Sequence, residues 1–458
     1  IAICFLTSGF VKAQYANQQA LYNNLPQARY YNPGIMPEYK GFFSIPLLSG
    51  VGSIASSSSF TIKDLFFNKK ISSSSFLAKI EDKNLLSSGF ATDVIGFGFK
   101  KGKNFMSLNV TTKTDLSIQY SKDLFNFLIN GNSSFSGEDI LLVGTSFDMS
   151  SYIETGLGYS RELSSKLSVG GKFKFLLGVA NVNANFNELE LNRNLNDNTI
   201  KSSSDFSVNS YGRFLLDYNN TDELLINFGN LGFGIDLGAN YRLSDKLQLF
   251  ASIVDLGYLK WSEYGETFYN DGSTFSYDGS NLDQDSDFFS GILDSASTIL
   301  DLKRNKVSYS TRLKTRFYVG GTYDLNKNFN FQGMLNGRVF NNKFYPMYMF
   351  AGGVKLSKWF TAKLSSSGVN GNYDNIGAGI VLHPGSFQLY AMMDNIYGLT
   401  RINNARHLAG SFGINFTFKE KENGKVKKAK KQKVKAEKAK ASKSKKLSKD
   451  EKTKEIEK

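Results

Sequence analysis

The side chains best suited to act as a general base at neutral pH are two histidines, His383 and His407. Hydrolytic chemistry needs such a base beside a nucleophile or an activating carboxylate. His383 stands in the turn His383-Pro384-Gly385-Ser386, where histidine is an ordinary turn residue, and no GxSxG motif accompanies His407. The sequence therefore predicts a protein that is not an enzyme, with a hydrolase that uses His407 as the weakest alternative.

Candidate metal ligands are equally sparse. Cys4 is the single cysteine, so no disulfide and no thiolate site is predicted. One acidic stretch offers carboxylates that suit Ca²⁺, but its spacing departs from the EF-hand pattern. Its members are Asp271, Asp278, Asp283, Asp285 and Asp287. A solvated surface loop is the preferred interpretation, and the sequence predicts no metal and no cofactor.

The segment from Ser411 to Phe418 shows which kind of element dominates the chain. Its apolar residues alternate with small polar ones, which places the two sets on opposite faces of a strand. Glycine (42 residues) and aromatic residues (14%) are abundant and proline is scarce, as expected for strands joined by tight turns. The mean hydropathy is −0.28, and no apolar run reaches the roughly 18 residues of a transmembrane helix. An outer-membrane β-barrel, with apolar side chains toward lipid, explains these observations.

Short and long connections alternate along the chain. Outer-membrane barrels place short turns in the periplasm and long loops outside. Short polar turns lie near residues 100–103, 163–166, 243–246, 325–328, 356–358 and 383–386, and long connections near 113–139, 182–230, 259–305 and 396–407. The pattern predicts an all-β, antiparallel up-and-down transmembrane β-barrel of about 14 strands, within limits of about 12 and 16. The predicted strands are 41–48, 91–100, 103–112, 140–161, 166–181, 231–243, 246–258, 306–323, 328–340, 346–357, 359–369, 374–382, 386–395 and 408–418.

Several segments within the connections are assigned separately. The Ser-rich stretch from Ser53 to Ser59 is predicted to open a long connection. Short helices are predicted in the loops, at 77–86, 115–129 and 288–302. The alternating stretch 204–215 would make the strand count odd as a further crossing, so it is predicted to form an extracellular hairpin with residues 183–192.

Two aspartates fall inside predicted strands at membrane depth. A charge there is costly unless it faces a polar lumen, so Asp236 and Asp255 are predicted lumen residues. Structural pairing with a base is preferred over a constriction that selects a substrate. The candidate partners are Lys172, Lys174, Arg312 and Lys314, of which Arg312 and Lys314 join the two aspartates as possible lumen charges.

Composition divides the chain into four parts. Residues 1–13 are predicted to be the remnant of a signal peptide, because an apolar run ends in Val11-Lys12-Ala13. Residues 14–40 are rich in amides and interrupted by prolines, and they are predicted to form a periplasmic arm or a plug of the lumen. Residues 41–418 form the predicted barrel. Residues 419–458 form a predicted periplasmic tail, unfolded or weakly helical in isolation, because it has almost no large apolar residues to bury.

The tail also accounts for most of the positive charge. With 18 lysines against 7 acids it carries +11 of the formal net charge of +14, which leaves +3 for residues 1–418. The barrel therefore lacks the basic patch of a nucleic-acid-binding domain, and no nucleic-acid partner is predicted. The lysines would attract anionic lipid, cell-wall polymer or an acidic envelope protein. The electrostatic candidates are Lys427, Lys428, Lys430, Lys431, Lys433 and Lys435.

Several short motifs resemble those of a known family. They are Leu25-Pro26, Asn32-Pro33-Gly34, Tyr152-Ile153-Glu154 with Gly156-Leu157-Gly158-Tyr159-Ser160, Gly234-Ile235-Asp236-Leu237-Gly238-Ala239, and Val254-Asp255-Leu256-Gly257 with Trp261. Across about residues 20–418 the chain resembles a Bacteroidota outer-membrane family of unknown function. That family is similar to FadL-type channels for hydrophobic compounds and to the PorV and PorP/SprF barrels. The resemblance implies an outer-membrane location, with both termini in the periplasm and the long loops outside.

Two functions follow as hypotheses. The first is a non-enzymatic scaffold or accessory subunit of an envelope assembly, either of the type IX secretion kind or of other outer-membrane machinery. It would contact outer-membrane lipid and, through its loops and tail, other envelope proteins or cell-wall polymer. The second is a FadL-like channel for a hydrophobic small molecule. A lateral gap or an apolar lumen path favours the channel, and a lumen sealed by charged pairs argues against it.

Overall fold

The computed structural model describes residues 17–66, 73–130, 140–141, 145–185, 190–194, 199–202, 207–211, 228–262, 265–269, 274–275, 303–369 and 371–418. The predicted signal remnant 1–13, the acidic residues from Asp271 to Asp287, the predicted helix 288–302 and the lysine tail 419–458 lie outside these residues. No helix in the described part of the chain has both the length and the hydropathy needed to cross a membrane.

The architecture is a closed antiparallel barrel of 14 strands, as the sequence predicts. Each strand pairs with its neighbours along the chain, and the last strand pairs with the first. The strands are β1 (Gly41–Ser44, resumed at Ser49–Ser57), β2 (Asn84–Lys101), β3 (Asn104–Tyr120), β4 (Ser146–Glu162), β5 (Leu167–Asn185), β6 (Leu231–Arg242), β7 (Leu247–Trp261), β8 (Arg316–Asp324), β9 (Phe329–Phe340), β10 (Lys343–Lys355), β11 (Phe360–Val369), β12 (Asn372–Leu382), β13 (Phe387–Met393) and β14 (His407–Phe418).

The barrel closes between β14 and β1. Residues 51–56 of β1 pair with 407–412 of β14 in antiparallel register. Near the interruption of β1, Ile414 N donates to Leu48 O at 3.0 Å. The predicted first strand, 41–48, is therefore only the beginning of β1. The prediction that the Ser-rich stretch from Ser53 to Ser59 opens a long connection is wrong as far as Ser57, because these residues continue the barrel wall.

Side-chain exposure follows the alternation in β14. Phe412, Phe416 and Phe418 are 48%, 39% and 50% exposed, whereas Asn415 and Thr417 are completely buried. Exposed Phe, Leu, Ile and Tyr side chains recur on the outer faces of the other strands and form a continuous apolar belt. A water-soluble sheet would bury such a surface, whereas lipid covers it in a membrane barrel. The protein is an outer-membrane β-barrel.

The two ends of the barrel differ in their connections. Six short turns join β2 to β3, β4 to β5, β6 to β7, β8 to β9, β10 to β11 and β12 to β13. We call this the turn end and the opposite end the loop end. Strands β2–β5 contain 17 to 19 residues, more than the roughly 9 to 11 that cross a bilayer, so they extend past the belt at the loop end.

The helices at the loop end differ in their bounds from the predicted helices. Helices α1 (Ile62–Phe66), α2 (Ser73–Lys79) and α3 (Lys122–Asn130) pack against the projecting strands in a cluster around Phe60 and Tyr120. The predicted helix 77–86 is wrong at its carboxyl end, because Asn84 already begins β2. The predicted helix 115–129 is wrong at its start, because β3 continues to Tyr120. A short helix, α4 (Tyr397–Thr400), lies before β14.

The loop end also contains short strands that do not cross the membrane. Ser207–Tyr211 pairs with residues 181–184 of β5 and with Glu266–Tyr269, so it extends the wall without adding a crossing. Among the described residues, the predicted hairpin of 204–215 with 183–192 is present only at residues 183–184, because Glu190–Asn194 pairs with Thr199–Ser202 instead. Lys303–Lys306 and Tyr309–Arg312 extend the wall further, and Ile140–Leu141, Glu190–Asn194, Thr199–Ser202 and Thr274–Phe275 form a separate small sheet.

The wall is irregular where β7 meets β6 and β8. Asp255 has φ of +59°, and the register shift places Asp236 opposite both Val254 and Asp255, which defines a β-bulge. The adjoining residues 313–315 form no regular strand, although Leu313 N donates to Gly257 O at 3.0 Å. As a result, Leu313 and Lys314 both face inward despite being consecutive.

The lipid-facing assignment can be tested at Leu335, in the middle of β9 and 59% exposed. Leu335→Arg places a charge against hydrocarbon and is expected to lower the free energy of unfolding by about 2–4 kcal/mol. The matched control is Val307→Arg, at an exposed loop-end residue outside the 14 strands, where we expect a change within about 0.5 kcal/mol. Urea unfolding in phospholipid vesicles measures both, and equal losses would contradict the assignment.

Candidate functional site in the barrel lumen

The amino-terminal segment lies inside the barrel. Residues 17–40, which we call the plug, contain two 3-10 helices, Asn17–Leu21 and Pro26–Tyr30. Pro26 suits the start of the second helix because its fixed φ is helical and its nitrogen needs no partner there. Apolar plug residues pack against inward-facing apolar residues of β2, β7–β10, β12 and β13. The plug side chains in this cluster are Ala20, Leu21, Tyr22, Leu25, Ala28, Tyr31 and Ile35.

One half of the plug is fixed against β4, β5 and β6 at the turn end. Asn32 Nδ2 donates to Ala239 O at 3.2 Å, and Ser160 Oγ donates to Pro33 O at 2.6 Å. The fit depends on glycine: a Cβ at Gly170 would lie 2.1 Å from Pro33 O, and one at Gly238 would lie 2.1 Å from Asn32 Oδ1. The backbone of Asn32-Pro33-Gly34 therefore fills a recess that only glycine leaves open.

The other half of the plug is fixed against β11–β13. Gln18 Nε2 donates to Ser365 Oγ at 3.0 Å and to Met393 O at 2.7 Å, and Tyr22 OH donates to Gly379 O at 2.7 Å. These are neutral hydrogen bonds between buried groups, so each one satisfies a group that would be costly to leave unpaired. Further contacts join Gln19 to Tyr390, Leu21 to Lys363 and Asn24 to Gln388.

Asp93 connects the plug to the interrupted part of the wall. Its carboxylate accepts from Tyr30 OH at 2.8 Å, Gln27 Nε2 at 3.1 Å and Thr111 Oγ1 at 3.1 Å. Its own carbonyl accepts from Leu47 N at 2.8 Å, at the interruption of β1. Asp93 is completely buried, and these donors replace water around it.

Above the plug, toward the loop end, the lumen contains a network of buried charges. Lys174 Nζ lies 2.7 Å from Asp236, within ion-pair distance of Asp255, and 3.5 Å from Glu154. Lys113 Nζ pairs with Glu154 and lies 3.7 Å from Asp255. Arg316 Nε donates to the other oxygen of Asp255 at 3.0 Å. The network joins six consecutive strands, β3 to β8.

The bulge in β7 is what brings these carboxylates together. It frees the backbone N–H of Asp255 from the strand ladder, and Asp236 Oδ1 accepts that hydrogen bond at 2.7 Å. Asp236 and Asp255 then face the same ammonium group from neighbouring strands. The positive φ of Asp255 is compatible with this because Asp tolerates the left-handed region better than most residues.

Closer to the loop end, opposite walls of the barrel touch. Arg338 of β9 donates to Ser87 of β2. Lys314 Nζ pairs with Asp115 of β3 and lies 2.8 Å from Asp148 of β4. In the tight turn between β9 and β10, Asn341 Nδ2 donates to Ser146 Oγ at 2.7 Å and to Gln119 Oε1 at 3.0 Å. Direct contact between strands so far apart in the sheet means that these side chains cross the lumen at this height.

A cavity of about 50 Å³ remains between the charge network and these cross-wall contacts. Its lining combines Lys113, Asp115, Asp148 and Arg316 with the apolar side chains of Leu259 and Leu313. This volume suits a few water molecules rather than an organic ligand. Among the described residues, no cluster of His, Cys, Asp and Glu has the arrangement of a metal site.

The predicted site residues lie in different parts of the structure. Asp236 and Asp255 lie in the network, and Lys314 lies in the cross-wall contacts. Arg312 is exposed and pairs in register with the outward-facing Tyr258, so it is not a lumen charge although it borders the cavity. The physical reason is the irregularity at residues 313–315, which reverses the inward and outward alternation between Arg312 and Lys314. The tail lysines 427–435 lie outside the described residues.

The sequence patterns do not identify every residue of the charge network. Glu154 interrupts an alternating strand with a charge in the same way as Asp236, so the same signal could have found it. The sequence does not identify Lys113, because it falls at the start of the predicted long connection 113–139. Neither histidine belongs to the network: His383 Nε2 lies 2.6 Å from Thr417 Oγ1 in a turn, and His407 is buried at the start of β14.

Comparison with known proteins shows which family the sequence matches. A family model described as "Family of unknown function (DUF5723)" matches residues 33–394. This agrees with the resemblance to an outer-membrane family of unknown function. No curated protein matches the sequence significantly.

Several solved barrels align with most of the chain, each with a TM-score below 0.5. The Ralstonia pickettii toluene transporter TbuX aligns with a TM-score of 0.45 at 9% identity, covering 86% of this chain and 94% of that one. The Pseudomonas putida toluene transporter TodX gives 0.40 at 10% identity, covering 89% and 94%. A Pseudomonas aeruginosa FadL homologue gives 0.40 at 9% identity, covering 90% and 99%.

Plug docking predicts different behaviour for two adjacent glycines of β5. Gly170→Ala would force a Cβ onto Pro33 O, whereas the Cβ of Gly171→Ala meets its nearest atoms at 3.5 and 3.6 Å, which is ordinary contact. We expect faster amide hydrogen exchange across residues 26–40 in Gly170→Ala and unchanged exchange in Gly171→Ala. Such overpacking typically costs about 1–3 kcal/mol. Equal protection of the plug in the two variants would contradict the docking geometry.

The charge network predicts unequal roles for two lysines of the same strand. Lys174→Met leaves three carboxylates around an uncharged side chain and is expected to lower the free energy of unfolding by about 3–5 kcal/mol. Lys172, whose Nζ lies 4.2 Å from the centre of the Tyr30 ring, serves as the matched control. Lys172→Met is expected to cost about 2 kcal/mol or less. Urea unfolding in vesicles checks this, and a larger loss in Lys172→Met would be the contrary result.

Proposed function

The chain belongs to the family of unknown function DUF5723, and we propose that it acts as a non-enzymatic scaffold or accessory subunit of an outer-membrane assembly. The assembly is of the type IX secretion kind or another machinery of the envelope. One observation carries the proposal: the plug and two sets of side-chain contacts obstruct the described lumen at three successive heights.

The three obstructions differ in chemistry but act together. The plug occupies the lumen at the turn end, the charge network around Lys174 joins strands β3 to β8 above it, and contacts such as Arg338 to Ser87 span the lumen toward the loop end. A solute would have to displace hydrogen-bonded and charged groups at each height. Because each buried group that loses its partner costs about 1–3 kcal/mol, passage through the closed form is strongly disfavoured.

The proposed contact surfaces are outside the lumen. We place the turn end and both termini in the periplasm and the long connections outside, as in other outer-membrane barrels. The loop end offers the projecting strands β2–β5 and helices α1–α3 as a surface for other envelope proteins. In the periplasm, the tail lysines 427–435 offer positive charge to an acidic partner or to cell-wall polymer.

The scaffold proposal is tested by a pull-down from mildly solubilised membranes. We expect the full chain to retain at least one other envelope protein through washes at low salt. A matched variant carries Gln at Lys427, Lys428, Lys430, Lys431, Lys433 and Lys435, and it separates tail contacts from barrel contacts. Recovery of this protein alone, from membranes crosslinked before solubilisation, would reject the scaffold role.

A second candidate is a passage for a hydrophobic small molecule, and one observation favours it. Trp261, Leu176 and Leu259 form a buried apolar cluster with Tyr152 and Tyr211, and Tyr309 and Leu313 pack against it. The cluster lies beside the irregular wall at residues 313–315. An apolar molecule could cross the wall there if the strands separated, without passing the plug.

Uptake measurements distinguish the two candidates. Vesicles containing the purified full chain are expected to show no ionic conductance and no faster entry of toluene than vesicles without protein. A passage would instead accelerate the entry of toluene. Trp261→Ala would then change the entry rate, whereas Trp359→Ala, at an exposed turn-end residue, would leave it unchanged. That result, together with a pull-down that recovers no other protein, would reject the scaffold role in favour of the passage.

A further inference from the structure

Four of the turns at the turn end are built on one plan. Each begins with leucine, followed by Ser or Asn whose side chain accepts from backbone N–H groups two or three residues later. Ser164 Oγ accepts from Lys166 N at 3.2 Å and from Leu167 N at 3.0 Å. Asn326 Oδ1 makes the equivalent bonds at 2.8 and 3.0 Å. The four leucines are Leu163, Leu243, Leu325 and Leu356.

Each of these turns presents an apolar side chain and a cation together. The four leucines are 47–62% exposed, and an exposed lysine stands two or three residues after each, as Lys166, Lys246, Lys327 and Lys358. The turn geometry holds the backbone, and both side chains are exposed. Exposed aromatic residues accompany them at the same level, including Tyr241, Tyr323, Phe329 and Trp359.

The positive charge of the barrel is concentrated at this end. The described turn end carries 11 basic side chains, Lys40, Lys100, Lys101, Lys103, Arg161, Lys166, Arg242, Lys246, Lys327, Lys355 and Lys358, against four acidic ones, Glu38, Glu162, Asp245 and Asp324. The difference is +7, whereas residues 1–418 together carry only +3. The remainder of these residues is therefore net negative, and the turn end is a basic collar.

We propose that this collar binds the phosphate headgroups of an anionic phospholipid leaflet. Lysine at a membrane interface directs its stem along apolar surface and its ammonium toward headgroups, while leucine and aromatic residues lie at the acyl boundary. The collar offers both chemistries at once at the four leucine turns, which follow one another along the wall from β4 to β11. A soluble polyanion would use the lysines but leave the exposed leucines in water, so the lipid leaflet is the better fit.

This site is separate from the lysine tail and from the lumen. Its lysines are held on ordered turns next to the apolar belt, whereas the candidate tail lysines begin only at Lys427. The collar is predicted to select anionic phospholipids among the lipids that surround the barrel. This selectivity does not depend on whether the barrel acts as a scaffold or as a passage.

Trp359 provides a local probe for the experiment. It is 52% exposed and adjoins Lys358 and Lys355, whereas Trp261, the other tryptophan of the chain, is completely buried near the loop end. The full chain is reconstituted in vesicles of phosphatidylglycerol and phosphatidylcholine in which one lipid carries brominated acyl chains. Quenching of Trp359 by each brominated lipid gives the relative association constant of phosphatidylglycerol over phosphatidylcholine at the collar.

We expect phosphatidylglycerol to associate about three-fold or more tightly at low salt, and the preference to fall toward one at about 1 M salt. The double variant Lys355→Gln with Lys358→Gln should abolish most of the preference. The matched control removes two exposed loop-end lysines, Lys83→Gln with Lys122→Gln, and should retain it. Unchanged migration of the unboiled protein on gels verifies that each variant is folded.

Other outcomes would overturn the proposal. A wild-type preference of one, or a preference that persists at 1 M salt, excludes an electrostatic headgroup site. Loss of the preference only in the variant with Gln at the six tail lysines assigns it to the tail. Competition by millimolar inorganic phosphate or by a soluble polyphosphate would indicate a site for free anions instead of a leaflet.

Discussion

A sheet surrounded by hydrocarbon has no water to satisfy an exposed edge, so each strand of this barrel must find a partner on both sides. Where the wall departs from regular pairing, the freed backbone groups are bonded locally. Leu47 N is paired with Asp93 O at 2.8 Å, and Asp255 N with Asp236 Oδ1 at 2.7 Å. The requirement for closure thus explains why each irregular part of the wall is bonded locally, by the main-chain carbonyl of Asp93 at Leu47 and by the buried carboxylate of Asp236 at Asp255.

Closure also determines what the lumen must contain. Alternation directs the polar half of each strand inward, so the interior collects charges and amides that need partners. The plug supplies partners at the turn end, and the network around Lys174 satisfies charges above it. Desolvation offsets much of the attraction within buried ion pairs, so such a network contributes little net stability. Its structural contribution is to connect six neighbouring strands and leave a cavity of about 50 Å³.

Much of the fold follows from local patterns in the sequence. Alternation and turn length are local properties, and they predict 14 strands and the outward position of Phe416 and Phe418 correctly. The interruption of β1 could not be predicted in this way. Its continuation, Ser49–Ser57, consists mostly of small residues. Ser49, Ser56 and Ser57 are completely buried inside the wall, where there is little room for larger side chains. A strand with so few large side chains has the composition of a loop.

The lumen site was less predictable because it depends on pairs that are distant in sequence. A charged residue within an alternating strand indicates a lumen position, which identifies Asp236 and Asp255, but it does not identify the partner. Lys174 is one of four candidates until the bulge at Asp255 fixes the geometry. The same kind of irregularity explains Arg312, because one extra residue at 313–315 reverses which side chains face inward.

The motifs that carry the family resemblance converge on the closure of the lumen. Asn32-Pro33-Gly34 fills the recess at Gly170 and Gly238, and Ser160 Oγ donates to Pro33 O. Glu154, Asp236 and Asp255, which come from three other motifs, all surround Lys174. Residues chosen from separate segments therefore form one continuous structure, from the plug to the charge network. Their common effect is to hold the plug and the charge network across the described lumen, and the proposed scaffold role rests on this obstruction.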